Sequence, residues 1–554
     1  MNRADFRRTI TVRIAQAQFI MLRYETEFTP CTGITAVVRQ ERRHYKRGIV
    51  IAPWCGRLNR RSPEDNPLAN GSIHDTGWKF SVNGIICKVL ATADPLLAPV
   101  IYLDVESRFR GIETPYDTPP ELPENEALAT LKRDTLYFGL AVNEFLSRFC
   151  SSRQFVWGAD WETVPALFLA RNRHLIALTL HNIFDECLAA QASDFGSVFL
   201  PFQEHDITGM SRTALQIGLE LADVITTVNR GFAYGIRTEQ LHQRVMARHL
   251  LPYLDRIVGI NNAAFTTLST EHRTLKEMLA TDFMSGVGEL FRLKAEALSR
   301  LPEAIRDKAQ GKAIVVAMGR RVSQKQHDLV VESLRTLLKR NPAFPVLAVF
   351  STVHGDKGSP ARLERITALA EEFPGNIVSI DGRVEFYGEL MAAADYNCMP
   401  SLYEPHGGAY EGTVIPLARA VDGLAEQICG LSPKGNAAAV NAVWHAEKES
   451  PSGFLFREDL MDEEVIEEDL QELLAVSPSP DNRLFQAMRD ALSATLRNAV
   501  QIRMNKQDIY AGLVRAALER QEDTSWLVHL GGVFALVEEA GIRRSLSQSL
   551  QQRS

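Results

Sequence analysis

The sequence predicts an α/β protein of two doubly wound domains in tandem, each a parallel sheet with helices on both faces. Three observations carry that prediction. The chain has 554 residues, too many for one hydrophobic core. Short apolar runs with strand character alternate with stretches of helical spacing. The alternation lapses around residues 256–310 and then starts again.

In the first half, "FIMLRYE", "GIVIAPW", "GIICKVLA", "PVIYLDV", "FVWGAD" and "LIALTLHN" read as strands, and "ALATLKRDTLYFGLAVNEFLSRF" among them has helical periodicity. In the second half, "KAIVVAMGR" is a buried strand, "DLVVESLRTLLKR" a helix, "FPVLAVF" a strand, "PARLERITALAEEF" a helix and "NIVSID" a strand. A further strand over Tyr396–Met399 ends at Pro400. "SPSPDN" marks a loop, after which the chain is helical. The domain limits follow as 1–255, 256–515 and a helical 516–554. Open sheets of this kind take ligands beyond the carboxyl ends of their strands, so a cleft between two such domains is the expected active site.

Bulk composition excludes several classes. Apolar residues at 45% and charged residues at 23% fit a globular chain and neither a disordered nor a collagenous one. A net charge of −7 gives no general attraction to nucleic acid, so the positive partners of an anionic ligand must be local. The 7 cysteines lack CxxC or zinc-ligand spacing and read as reduced thiols of a cytoplasmic protein. No apolar run approaches the roughly 18 residues of a membrane span. Arg3, Arg7, Arg8 and Arg13 read as a short basic extension rather than a targeting segment. "ERRHYKR" and "MDEEVIEEDLQELL" read as solvated helix faces.

The residues that could carry chemistry stand at strand ends. Arg320 lies just past "AIVVAM", with Lys325 five residues on, where two cations could neutralise a departing diphosphate. Glu404-Pro405-His406-Gly407-Gly408 follows another strand end. Its glycines let backbone N–H groups approach an oxyanion, and a helix start after them would add positive charge. His181 closes "LIALTLHN" and Asp160 closes "FVWGAD". Each alone reads equally well as an exposed cation, a plain turn or a structural histidine; the set, spread over both halves, reads as a site. The phosphate-loop, dinucleotide, zincin and serine-hydrolase motifs do not occur in the sequence.

Ordered segments along most of the chain resemble the bacterial glycogen synthase and plant starch synthase family, retaining glucosyltransferases of GT-B architecture. Ala159-Asp160-Trp161 matches the family's "HDW", and Thr179-Leu180-His181-Asn182 its "T-x-HN". "LELADVITTVNRGFAYGI" is similar to "AD-x-VTTVS-x-YA", with Asn229 for serine, and "GINNA" to "GI-x-NG". "GRRVSQKQHDL" resembles "RL-x-xQKG", and "PSLYEPHGG" with "PLARAVDGLAE" resembles "PS-x-x-EP-x-G" and "P-x-x-R-x-x-GGL". "DTSWLVHLGGVFALVEEA" is similar to the terminal "SW" helix that crosses back to the first domain.

The resemblance implies two Rossmann-like domains, the first facing the acceptor and the second holding the donor. It implies transfer of glucose from ADP-glucose to the non-reducing end of an α-1,4-glucan, with retention. Arg320 and Lys325 would grip the donor diphosphate, Gly407 and Gly408 would offer N–H groups, and Thr32 and Gly33 would mark the N-terminal donor loop. Glu404 would contact the donor glucose, and His181 and Asp160 would line the sugar site. The nucleotide sugar is then a co-substrate. No other cofactor or metal is implied, since Arg320 and Lys325 can supply the charge.

Departures keep alternatives open. "TPCTGITAVV" stands where the family has "K-x-GGLGDV", without its lysine and one glycine, and the stretch after Glu404 is short. Gln326 and Asp422 replace glycines, His406 a cysteine or phenylalanine, and Glu162 a histidine. The alternatives are a GT-B transferase with another nucleotide sugar or a small acceptor, and a glucan-binding pseudoenzyme that partners an active synthase.

Overall fold

In the computed structural model, the described residues are 2–29, 33–55, 58, 66–92, 94–110, 124–152, 154–183, 190–202, 212–264, 268–356, 358–431, 444–445, 449–458, 460, 465–475, 478–479, 481–522 and 525–551. Two compact units share the chain. Unit 1 comprises Met1–Val228, His249–Phe265 and Ser525–Ser554; unit 2 comprises Asn229–Arg248 and Thr266–Thr524. The units are discontinuous in sequence, where the sequence reading set limits at 255 and 515.

Unit 1 is built on β1 (Phe19–Leu22), β2 (Gly48–Pro53), β3 (Ile73–Val82), β4 (Ile85–Thr92), β5 (Val100–Val105), β6 (Phe155–Ala159), β7 (Ile176–Leu180), β8 (Val224–Thr227) and β9 (Ile257–Gly259). Their order in the sheet is β3-β4-β5-β2-β1-β6-β7-β8-β9. The pairings from β5 through β9 are parallel. The edge corrects the expectation of a wholly parallel sheet, because β3 pairs antiparallel with β4 and β4 with β5. Asn83 and Gly84 join β3 to β4 with φ of 48° and 80°, the left-handed pair that a two-residue hairpin turn requires.

Two further readings of this half are corrected. The basic N-terminus is a helix, Arg3–Gln16, whose Phe6, Ile10 and Ile14 recur at helical spacing and are buried; Asn2 caps it by accepting from the Asp5 N–H at 2.9 Å. Within "ERRHYKR", Glu41 and Arg42 are buried rather than solvated. They lie on the inner face of helix Ile34–His44. Arg23, just past β1, donates Nε to Glu41 Oε2 at 2.9 Å, and Arg42 Nε reaches the Ala98 carbonyl at 2.8 Å. A buried guanidinium has to be paired in this way.

The core of unit 1 gathers Phe19, Tyr45, Phe155 and Trp157 against the C-terminal helix Trp526–Gln551. Phe534 meets Phe19 and Phe155 edge-on at 5.2 and 5.3 Å, and the Trp526 indole N–H donates to the Ala264 carbonyl at 3.0 Å.

Unit 2 is built on β10 (Ala313–Arg320), β11 (Val346–Val353), β12 (Ile377–Asp381), β13 (Tyr396–Met399), β14 (Ile415–Arg419), β15 (Gly430–Leu431) and β16 (Gly453–Phe456), in the order β12-β11-β10-β13-β14-β16-β15. All these pairings are parallel. Val316, Leu347, Val349 and Leu390 are fully buried in its core. The acidic run is a solvated helix face as far as it is described: helix Glu467–Leu473 buries Leu470 and Leu473 and leaves Glu468 exposed. Residues 461–464 of that run lie outside the described residues. After "SPSPDN", Asn482 caps helix Arg483–Asn505 by accepting from the Phe485 N–H at 2.8 Å. No single helix among the described residues is long and apolar enough to cross a membrane.

Candidate active site

In each sheet the strand order reverses near the middle, between β1 and β6 in unit 1 and between β10 and β13 in unit 2. Loops leaving the carboxyl ends of strands at such a switch point diverge to opposite faces and open a crevice. Of the residues singled out by sequence, Gly33, Asp160, Lys325, Glu404, Gly407 and Gly408 lie on those loops, Arg320 ends β10, and His181 follows the next strand, β7.

In unit 2, β10 ends at Arg320, which is exposed. The next residue, Arg321, is buried and donates Nη1 to the Thr352 carbonyl at 3.0 Å and to Asp381 Oδ1 at 2.6 Å, so its charge is already used. A single turn, Ser323–Lys325, leads to Gln326 in the left-handed region at φ 48° and ψ 43°. Helix His327–Arg340 follows. Burial, together with the nearby Lys325, Arg362 and Arg321, pushes the His327 imidazole down to about 3, so it is neutral at physiological pH.

The loop after β13 meets this turn. The Leu402 N–H donates to the Gln324 carbonyl at 2.9 Å, and Gln324 Nε2 donates to the Tyr403 carbonyl at 3.1 Å. These bonds bring the Lys325 ammonium onto the Glu404 carboxylate. Glu404 is 9% exposed and Oε2 accepts a second bond, from Ser401 Oγ at 2.9 Å. Its own N–H donates to Asp422 Oδ2 at 3.0 Å. Gly407 must be glycine: its φ is +66°, and a Cβ there would come within 2.9 Å of both Glu404 Cγ and Leu424 Cδ2. Gly408 is exposed. The helix expected after the glycines is absent: the chain runs irregularly to β14, with a single bridge between Glu411 and Val414. That bridge turns the stretch directly into the next strand, leaving no room for a helical turn.

In unit 1, Asp160 follows β6 at φ 56°, rare for a residue with a side chain. Its Oδ1 accepts from the His181 N–H at 2.7 Å and the Asn182 N–H at 3.0 Å, and its Oδ2 lies 3.4 Å from His181 Nδ1. Asp160 therefore fixes the backbone of the loop after β7, and its second oxygen lies beside the His181 ring without a hydrogen bond to it. Gly33, after β1, precedes helix Ile34–His44 with ordinary helical angles and open space around it, so nothing local demands glycine there. Thr32 lies outside the described residues.

Of the residues expected in the site, Lys325, Glu404 and Gly407 come together in unit 2, and Asp160 and His181 in unit 1. Arg320 and Gly408 stand exposed at the edge of the first group. Sequence reasoning noted Asp422 only as a replaced glycine and did not single out Ser401 or His242. Ser401, three residues before Glu404 in a strand-exit loop, was within reach of local reading.

Two switch-point sheets with these loops are the GT-B fold, the architecture of a large class of glycosyltransferases. Among solved structures, the catalytic domain of starch synthase IV from Arabidopsis thaliana, bound to ADP and acarbose, is similar over 95% of this chain and 99% of its own, with a TM-score of 0.66 at 16% identity. The α,α-trehalose 6-phosphate synthase of Burkholderia multivorans is similar over 95% of this chain and 100% of its own, with a TM-score of 0.51 at 11% identity. No known family's sequence profile matches the chain.

Proposed function

We propose that this protein is a retaining glycosyltransferase that moves glucose from a nucleotide sugar, ADP-glucose by preference, to the non-reducing end of an α-1,4-glucan. The observation that carries the reading is the Lys325–Glu404 pair at the switch point of unit 2, with Arg320 exposed at the end of the adjoining strand. Breaking the anomeric bond leaves positive charge on the sugar and added negative charge on the diphosphate. Cations held on the leaving side are worth more in the transition state than in the ground state, so they lower the barrier. Lys325 and Arg320 serve that role. Glu404 accepts hydrogen bonds from the hydroxyls of the donor glucose, and its partner Ser401 holds the carboxylate in place while Lys325 turns to the phosphate. His181, on the loop whose backbone Asp160 holds, is the proposed sugar-site residue of unit 1. The ADP and acarbose bound by the starch synthase IV neighbour support an adenine nucleotide and a glucan-like acceptor.

A second reading, transfer to a small acceptor, is favoured by the missing lysine of "TPCTGITAVV" and by the irregular, helix-free stretch after Gly408. Incubating the purified protein with radiolabelled ADP-, UDP- and GDP-glucose, with and without glycogen, separates the two. Label in polymer supports glucan extension, and donor turnover only with a small sugar supports the second reading. Glycogen binding without turnover of any donor refutes both and leaves a glucan-binding pseudoenzyme.

A further inference from the structure

Asp422 stands where the sequence resemblance calls for a glycine, and its backbone keeps the glycine-like left-handed φ of 45°. A side chain held at such an angle persists only where its surroundings fix it. Here they do. Asp422 is 3% exposed, Oδ2 accepts the Glu404 N–H at 3.0 Å, and Oδ1 lies 2.9 Å from His242 Nε2.

His242 is 1% exposed and opens a π-helical turn, His242–Met246, a geometry frequent at functional sites. It belongs to the segment Asn229–Arg248, remote in sequence but part of unit 2. That segment is fastened over Asp422. Gly231 N–H donates to Glu426 Oε2 at 2.8 Å, and Arg457 Nη2 bonds Glu239 Oε2 at 2.6 Å while its Nη1 bonds the Ala420 carbonyl at 3.0 Å. Gly231 and Gly235 supply the space: a Cβ on either would overlap the Asp422 backbone or carboxylate. The glycines a neighbouring helix needs to admit Asp422 are present, so the carboxylate is built into the site and not merely tolerated.

We infer that Asp422, oriented by His242, is the positioning residue for Glu404: it fixes the backbone of the carboxylate that meets Lys325, and so sets where the donor sugar sits. This rests on the assignment of Lys325 and Glu404 to the donor site. The mechanism is geometric. Asp422 holds the Glu404 N–H on one side and Ser401 holds Oε2 on the other, leaving the carboxylate few alternative positions. Losing the first restraint misplaces the carboxylate while the ligand-contacting atoms remain present, and misplacement of about 1 Å lowers turnover by about 10²-fold.

The test uses the full-length protein and the variants Asp422→Gly, Asp422→Asn and His242→Gln, beside Lys325→Ala as a control. Asp422→Gly suits the backbone angle and removes only the side chain; Asn is tolerated at that angle and keeps an acceptor for the Glu404 N–H. With whichever nucleotide sugar the wild type uses, Asp422→Gly is expected to lower kcat about 10²-fold while changing KM for the donor less than about threefold, and Asp422→Asn to recover most of kcat. An Asp422→Gly protein with kcat within about threefold of wild type overturns the inference. So does an Asp422→Asn protein that melts like wild type yet stays as slow as the glycine variant. A second readout needs no turnover: the Lys325 side-chain NMR resonance, assigned with Lys325→Ala, reports the ion pair with Glu404. It should shift toward that of a free lysine in Asp422→Gly and His242→Gln and stay in place in Asp422→Asn. If the wild type turns over no donor, the donor-site assignment fails, and this resonance alone decides whether Asp422 positions Glu404; an unshifted signal in Asp422→Gly refutes it.

Discussion

The two units solve the same topological problem differently. At the switch point of unit 1 the carboxylate of Asp160 is satisfied by backbone N–H groups, those of His181 and Asn182. At the switch point of unit 2 the carboxylate of Glu404 is satisfied by side chains, the ammonium of Lys325 and the hydroxyl of Ser401. Backbone bonds hold a loop in one place. Side-chain bonds exchange partners when a ligand arrives. Unit 1 thus presents a fixed wall, whereas unit 2 presents charges that neutralise each other and that, in the proposed function, a phosphate and a sugar would part.

Substitutions on the two sides should separate activity from stability. The largest effect belongs to unit 2: Lys325→Ala or Glu404→Ala should lower glucosyl transfer by about 10²- to 10⁴-fold. Because this pair is partly exposed, Lys325→Ala should change the unfolding free energy by less than about 1 kcal/mol. Near-normal transfer rates in both variants would remove the donor-site reading. Asp160→Ala should do both kinds of damage, lowering turnover about 10²-fold by loosening the loop that carries His181 and lowering stability by about 1–3 kcal/mol through the two stranded N–H groups. If urea melts show Asp160→Ala to be as stable as wild type, the fixed-wall description of unit 1 is wrong.

Gly407→Ala should destabilise unit 2 by about 1–3 kcal/mol, from the left-handed angle and the crowding against Glu404 and Leu424 together. The smallest effect at neutral pH is the titration of buried histidines. Burial holds His529 in unit 1 down from the ordinary 6.5 to about 4. The unfolded chain therefore takes up a proton that the folded unit refuses as pH falls below 6.5. The stability His529 contributes is whole above that pH and drains away down to about 4. Five of the 6 tryptophans, Trp54, Trp78, Trp157, Trp161 and Trp526, belong to unit 1 and Trp444 to unit 2, so tryptophan fluorescence follows mainly unit 1. Melts at pH 7, 6 and 5 should show a falling midpoint that His529→Gln flattens.

Much of the architecture was legible because it rests on local rules. Strands buried on both faces are continuous apolar runs, as "AIVVAM" and "VLAVF" are, and the helices between them repeat at 3.6 residues. The hairpin edge is also written locally, in the turn signal Asn83-Gly84, which the reading of parallel strands did not take up. Glu41 and Arg42 misled for a different reason: charge count along a helix does not reveal that a neighbouring strand end supplies Arg23. Within the site, the positions of Lys325, Glu404, Asp160 and His181 at strand exits could be read. The bond between Asp422 and His242 could not, because the two are 180 residues apart and no periodicity connects them.

One consequence follows from the helix Trp526–Gln551. Unit 1 begins the chain and also needs this late segment to cover Phe19, Tyr45, Phe155 and Trp157. During translation, every residue of unit 2 leaves the ribosome before that aromatic surface can be closed. At about 5–20 residues per second, the nascent chain carries an unfinished apolar face for tens of seconds. Chaperone engagement should accordingly concentrate on the earlier-made half and end only with the arrival of Trp526.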